Sequence, residues 1–355
     1  MNAHPGPPSV VAALLLASGL AGAQEIGKLQ LAPEPSDLLA GRLTVRVPPG
    51  AGTSPRRAGV MSAPTGAEDE TRILIDAETE RLVLLANELF CTAGPDFDGV
   101  VSRATEGWTA PGEAGYTLEP PLEGPGGARR FLYLPPKVEV EDDAALVLGA
   151  YVVQPDRTVQ QLTFYANTAA ARDPTGCATL ARRIAATVAP GPRRLEVSEG
   201  ERHVRISDTH ELVFRAPEGF VATLRPGPDF DLFNIHRVGS FGSPTYRMGI
   251  YSGRGPRYHH DRREEPRPAV RLVPGRLLGR PVEWHVWTET AEGGRADRTF
   301  VEAIARQEET DHPWCWHVWF FPNDAQEEAR LKALAESLED RVVTTKPATR
   351  PGEAR

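Results

Sequence analysis

The feature that most constrains this chain is an approximate internal duplication. Gly41-Arg42-Leu43-Thr44-Val45-Arg46-Val47-Pro48-Pro49-Gly50 in one half and Glu211-Leu212-Val213-Phe214-Arg215-Ala216-Pro217-Glu218-Gly219-Phe220 in the other share one plan. Each is a short strand running into a Pro/Gly turn, where proline ends the ladder because it supplies no backbone donor. A repeated plan predicts two similar units.

The halves also close alike. In the first, Leu146–Val153 and Thr158–Ala166 read as strands joined by the Gln154–Arg157 turn. Asp173-Pro174 then caps a helix with Cys177, Leu180, Ile184 and Val188 on one face. In the second, Arg298–Gln307 precedes the aromatic strand Trp314–Phe321. Asn323 and Gln326 have capping-box spacing, and Leu331, Leu334, Ala335 and Leu338 form the helical stripe beyond. A helix laid on an antiparallel sheet buries both apolar faces. The expected class is therefore α+β, two similar domains, each an antiparallel β-sheet packed against helices. Their expected bounds are 31–190 and 200–342, and a single large β-sandwich is the rival.

Between these ends, Arg72–Ile75 and Arg81–Phe90 suggest a hairpin and Asp96–Thr105 a short helix. Val221–Leu224, Tyr246–Tyr251 and Val282–Thr290 suggest strands, and Gly253–Pro274, crowded with Arg, Pro and Glu, a loop insertion. The opening at Leu43–Gly50 with Leu162–Val188, and Leu212–Gly219 with Trp316–Leu338, resembles the Mog1/PsbP-like domain family in tandem. That resemblance implies sheets covered by helices and a role in binding or assisting other proteins. It transfers no functional residue.

Met1–Ala23 holds no Lys, Arg, Asp or Glu, has an apolar centre at Val10–Ala17, and ends in Ala21-Gly22-Ala23. This is the pattern of a cleaved signal peptide with Gln24 as the mature N-terminus, and it predicts a periplasmic or secreted protein. The apolar run is short of the roughly 20 residues that span a bilayer. The tail, 343–355, has almost nothing to bury and is expected to be disordered. A net charge of -8 gives no reason to expect a nucleic-acid partner.

The chain has no phosphate-binding glycine loop, HExxH, Gly-x-Ser-x-Gly or Cys-x-x-Cys, so no catalytic, cofactor-binding or metal residue is assigned. Three weaker candidates remain. Cys91 and Cys177 are expected to form a disulfide pinning helix to sheet, which leaves Cys315 reduced, with two buried thiols as the alternative. Strand alternation places Cys315 and His317 on one face, a thiol beside a base or half a metal site, although flanking aromatics favour a buried structural cysteine. His259-His260-Asp261 reads as a solvated loop that binds metal only if a third ligand such as His236 or His285 approaches. Five of the six tryptophans fall in the second half, as core or as interface anchors. The expected function is a non-enzymatic exported binding or accessory protein, recognising another protein or an envelope component. The alternative is a hydrolase or thiol/metal-dependent enzyme using Cys315/His317 or His259/His260.

Overall fold

The computed structural model describes residues 25–53, 70–106, 115–140, 143–205, 210–226, 229–262, 268–289, 297–307 and 314–342. The expected leader and the expected disordered tail lie outside the described residues.

In the first half, β1 (Glu70–Ala77), β2 (Glu80–Thr92), α1 (Phe97–Glu106), β3 (Arg129–Leu134), β4 (Ala144–Val153), β5 (Thr158–Asn167) and α2 (Pro174–Ala186) follow in turn. The sheet runs β1-β2-β5-β4-β3, with Gly52–Thr53 beside β1 and Thr117–Leu118 beside β3. The second half contains β6 (Phe220–Pro226), β7 (Phe230–Arg237), β8 (Tyr246–Arg254), β9 (Arg271–Leu277), β10 (Arg280–Glu289), β11 (Arg298–Arg306), β12 (Trp314–Phe320) and α3 (Ala325–Glu336). Its sheet runs β6-β7-β8-β12-β11-β10-β9. In both, the strand preceding the closing helix inserts beside the end of the opening meander. Each half adds a three-stranded sheet in which the chain after the helix returns to an opening hairpin: Ala189–Pro190 joins Ser36–Leu38 and Leu43–Val45, and Glu339–Val342 joins Gly200–Arg205 and His210–Ala216.

Alternation along the strands makes two-sided sheets. Leu82, Leu84 and Ala86 of β2 face an inner core with Leu180, Ile184 and Val188 from α2 and its end. Trp316, Val318 and Phe320 of β12 face a core with Leu331, Leu334 and Leu338. Each fully buried Leu, Ile, Val or Phe among them contributes about 1.5–3 kcal/mol. Asp173 caps α2 by accepting from the Gly176 amide at 2.9 Å. The α3 cap sits one residue later than the sequence spacing suggests. Asp324 accepts from the Glu327 amide at 2.8 Å, and Glu327 accepts from the Asn323 amide at 2.8 Å. Buried Glu327 also pairs with Arg247 at 3.2 Å and Arg237 at 3.1 Å, which anchors that register.

The expected α+β class is corrected. Strands take 51% of the described residues and helices 18%, with four sheets and three α-helices. The expected short strands lengthen at their ends, and strands form at Arg129–Leu134, Gly200–Arg205 and Phe230–Arg237 where none is expected. The supposed insertion, Gly253–Pro274, begins at the end of β8 and finishes inside β9.

The Cys91–Cys177 disulfide is also corrected: all three cysteines are buried thiols. The sheet stands between the pair. Cys177 lies in the inner core under α2, whereas Cys91 joins Phe97, Phe131 and Tyr151 on the outer face.

At the junction, Gly239–Ser240 pairs in parallel with Cys91–Thr92 of β2. Phe90 stacks on His236 with ring centroids 3.9 Å apart. Phe241 lies edge-on to Phe97 and Tyr151 at 4.9 and 5.0 Å.

Candidate functional site

The outer faces of the two sheets are covered differently. In the first, α1 places Phe97 and Val101 over Phe131, Tyr133 and Tyr151. In the second, the segment after β8 crosses the sheet and sets Tyr258, His259 and His260 on it.

Register builds the floor of this site. Glu302 of β11 pairs with His285 of β10 on one side and Trp319 of β12 on the other. Trp287 and His317 are its diagonal neighbours, a separation that long side chains can span. All five side chains share the outer face because strand residues two apart point the same way.

Glu302 is 1% exposed. Its Oε2 accepts from the His317 Nε2 and His259 Nδ1 groups, each at 3.0 Å, and from the His259 amide at 2.8 Å. Its Oε1 meets His260 Nδ1 at 2.8 Å, Trp287 Nε1 at 3.0 Å and the His260 amide at 3.3 Å. Burying an isolated carboxylate costs several kcal/mol. Hydrogen bonds to a charged group return about 1.5–3 kcal/mol each, so this set offsets the cost. Burial pushes the Glu302 carboxyl up, but the bonds from His259, His317 and His260 outweigh it and hold it well below the usual carboxylate range.

The covering rings are stacked as well as bonded. Tyr258 lies on His285 at 4.0 Å, nearly parallel. His259 lies 5.1 Å from His317 and 4.9 Å from Trp319. His260 lies 5.1 Å from His285. Burial, followed by the charge of His260, lowers the His285 pKa and favours its neutral form.

One ligand atom each from His259, Glu302 and His317 lie within 4.8 Å of one another. Two imidazoles and one carboxylate at such spacing suit a divalent transition-metal ion, which would take the place of the ring protons that His259 Nδ1 and His317 Nε2 direct at Glu302.

The structure thus joins His259 and His260 to His317, which the sequence places in separate candidate sites. The solvated-loop reading of His259-His260 is corrected, since their side chains are only 30% and 13% exposed. His285 lies beside the group, whereas His236 is at the junction with Phe90. Cys315 is buried, and burial raises its thiol pKa, which opposes thiolate chemistry. Glu302 escaped sequence reasoning because nothing local distinguishes one carboxylate of a charged chain. Its placement on the same strand face as Phe300, within an aromatic sheet, was the available signal.

No family model matches the chain, and no curated protein matches it. Among solved structures, the chain aligns with the apo structure of immunity protein TplEi of T6SS from Pseudomonas aeruginosa. The alignment has 12% identity, a TM-score of 0.22, and covers 89% of this chain and 99% of that one. That degree of likeness carries no functional argument. Among the described residues, no helix is long and apolar enough to cross a membrane.

Proposed function

We propose that this is an exported metal-binding accessory protein, which holds a divalent transition-metal ion at His259, Glu302 and His317. The observation that carries the reading is the compact convergence of these ligand atoms from a crossing segment and two adjacent strands. Imidazole and carboxylate together match zinc, cobalt, nickel or ferrous iron better than calcium or magnesium, which prefer all-oxygen sets. Glu302 and His317 are 1% and 4% exposed at their side chains, so approach runs past His259. Such access suits a hydrated ion better than an extended substrate, which favours binding over catalysis. The equivalent strand order of the halves supports a tandem origin, with this site in the second. Export to the periplasm or medium, and a protein or envelope component as partner, belong to the same proposal.

The test is metal content of the mature protein after dialysis against limiting zinc, with calorimetric titration. One ion per chain, abolished by Glu302→Ala and by His259→Ala, is the expected result. No bound metal, or equal binding by these variants, would falsify the reading.

A further inference from the structure

Resting on that metal-site reading, we infer that three protein ligands among the described residues hold the ion, with an exchangeable position open to a small anion or water, and that His260 positions Glu302 instead of ligating.

The two oxygens of Glu302 have different surroundings. Oε2 is the atom nearest both candidate imidazole ligands, at 3.0 Å from each. Oε1 is held on its other side by His260 Nδ1 and Trp287 Nε1, at 2.8 and 3.0 Å. Those two donors fix the carboxylate plane and favour one-oxygen ligation through Oε2. His260 lies outside the compact three-residue set. Its ring is tied between Oε1 and its neighbour His285, 5.1 Å away. The arrangement has the form of a ligating carboxylate oriented by surrounding hydrogen bonds, a role whose loss typically weakens metal affinity 10–100-fold.

Three protein ligands do not complete a four- or six-coordinate ion. The remaining direction lies on the segment's side, because the sheet's inner core fills the opposite one with Ala303, Trp316 and Val318. His259 is the most exposed of the three ligands, with 30% of its side chain open, so the entry path passes its ring. A monodentate anion or a water molecule is the chemical class that fits there.

Cobalt(II) substitution tests this on the full mature chain. The expected result is a visible ligand-field spectrum at one equivalent of cobalt that shifts when azide is added. His260→Ala should bind cobalt 10–100-fold more weakly yet give the same spectrum at saturation. His260→Asn, whose side-chain amide can replace the Nδ1 donor, should recover most of the affinity. A spectrum unmoved by saturating azide, or one altered in saturated His260→Ala as by loss of a ligand, overturns the inference while leaving metal binding intact. Absence of any cobalt spectrum instead removes the underlying metal-site reading.

Discussion

Glu302 faces Trp319 directly across neighbouring strands, yet takes its hydrogen bond from His317, one step along the diagonal, at 3.0 Å. The same carboxylate reaches the opposite diagonal to Trp287. A single residue thereby ties three strands to the segment that crosses them. Removing it leaves three imidazoles and an indole without their shared acceptor. Glu302→Ala should lower unfolding free energy by about 3–5 kcal/mol in denaturant titrations, as for breaking a buried charged network. Glu302→Gln should cost less, since one amide oxygen still accepts. A loss below about 1 kcal/mol for the alanine variant would mean that the network contributes little to stability.

Asp231 of β7 gives a testable pH dependence. Burial raises its carboxyl pKa to about 6. A raised acid pKa means that the folded state binds its proton more tightly than the unfolded chain. The contribution is therefore fully present below the ordinary aspartate range and is lost as pH rises through about 6. Asp231→Asn should stabilise the protein by about 1–2 kcal/mol at pH 7, after allowance for partial solvent access, and by little at pH 4. Equal effects at both pH values would contradict the assignment.

The cysteines should behave as buried thiols. Burial pushes both Cys91 and Cys177 up to about 12, so neither presents a thiolate near neutrality. An aromatic disulfide reagent should react slowly with the native protein and release three equivalents in denaturant. Peptide mapping without reductant that recovered a Cys91–Cys177 bridge would contradict the structure.

Phe90 tests the coupling of the two halves. It is 2% exposed and packs with Leu195 and Val221 besides stacking on His236. Phe90→Ala should cost about 3–5 kcal/mol. It should also separate one calorimetric transition into two, if the junction is what makes unfolding concerted. A single, equally sharp transition at lower temperature would show that other contacts couple the halves.

Much of the local architecture was legible in the sequence. Period-two and period-3.6 apolar patterns are local, and they located Glu80–Thr92, Trp314–Phe320, Pro174–Ala186 and Ala325–Glu336 to within a few residues. The β-rich balance was less legible. Phe230–Arg237 alternates weakly, and Arg271–Leu277 contains Pro274 and Gly275, which argue locally against a strand. β9 tolerates both because it pairs on one side only, leaving proline at an edge.

The site divides along the same line. The sequence by itself determined that His259 and His260 adjoin, that Cys315 and His317 share a strand face, and that the second half is rich in tryptophan. Only the tertiary structure decided that β11 lies between β10 and β12, which sets Glu302 among Trp287, His285 and His317. Strand order is a non-local property, fixed by which apolar faces bury together across long separations, and no spacing along the chain encodes it. The same physics set Cys91 and Cys177 apart: periodicity gave each residue a face, and the folded sheet put those faces on opposite sides.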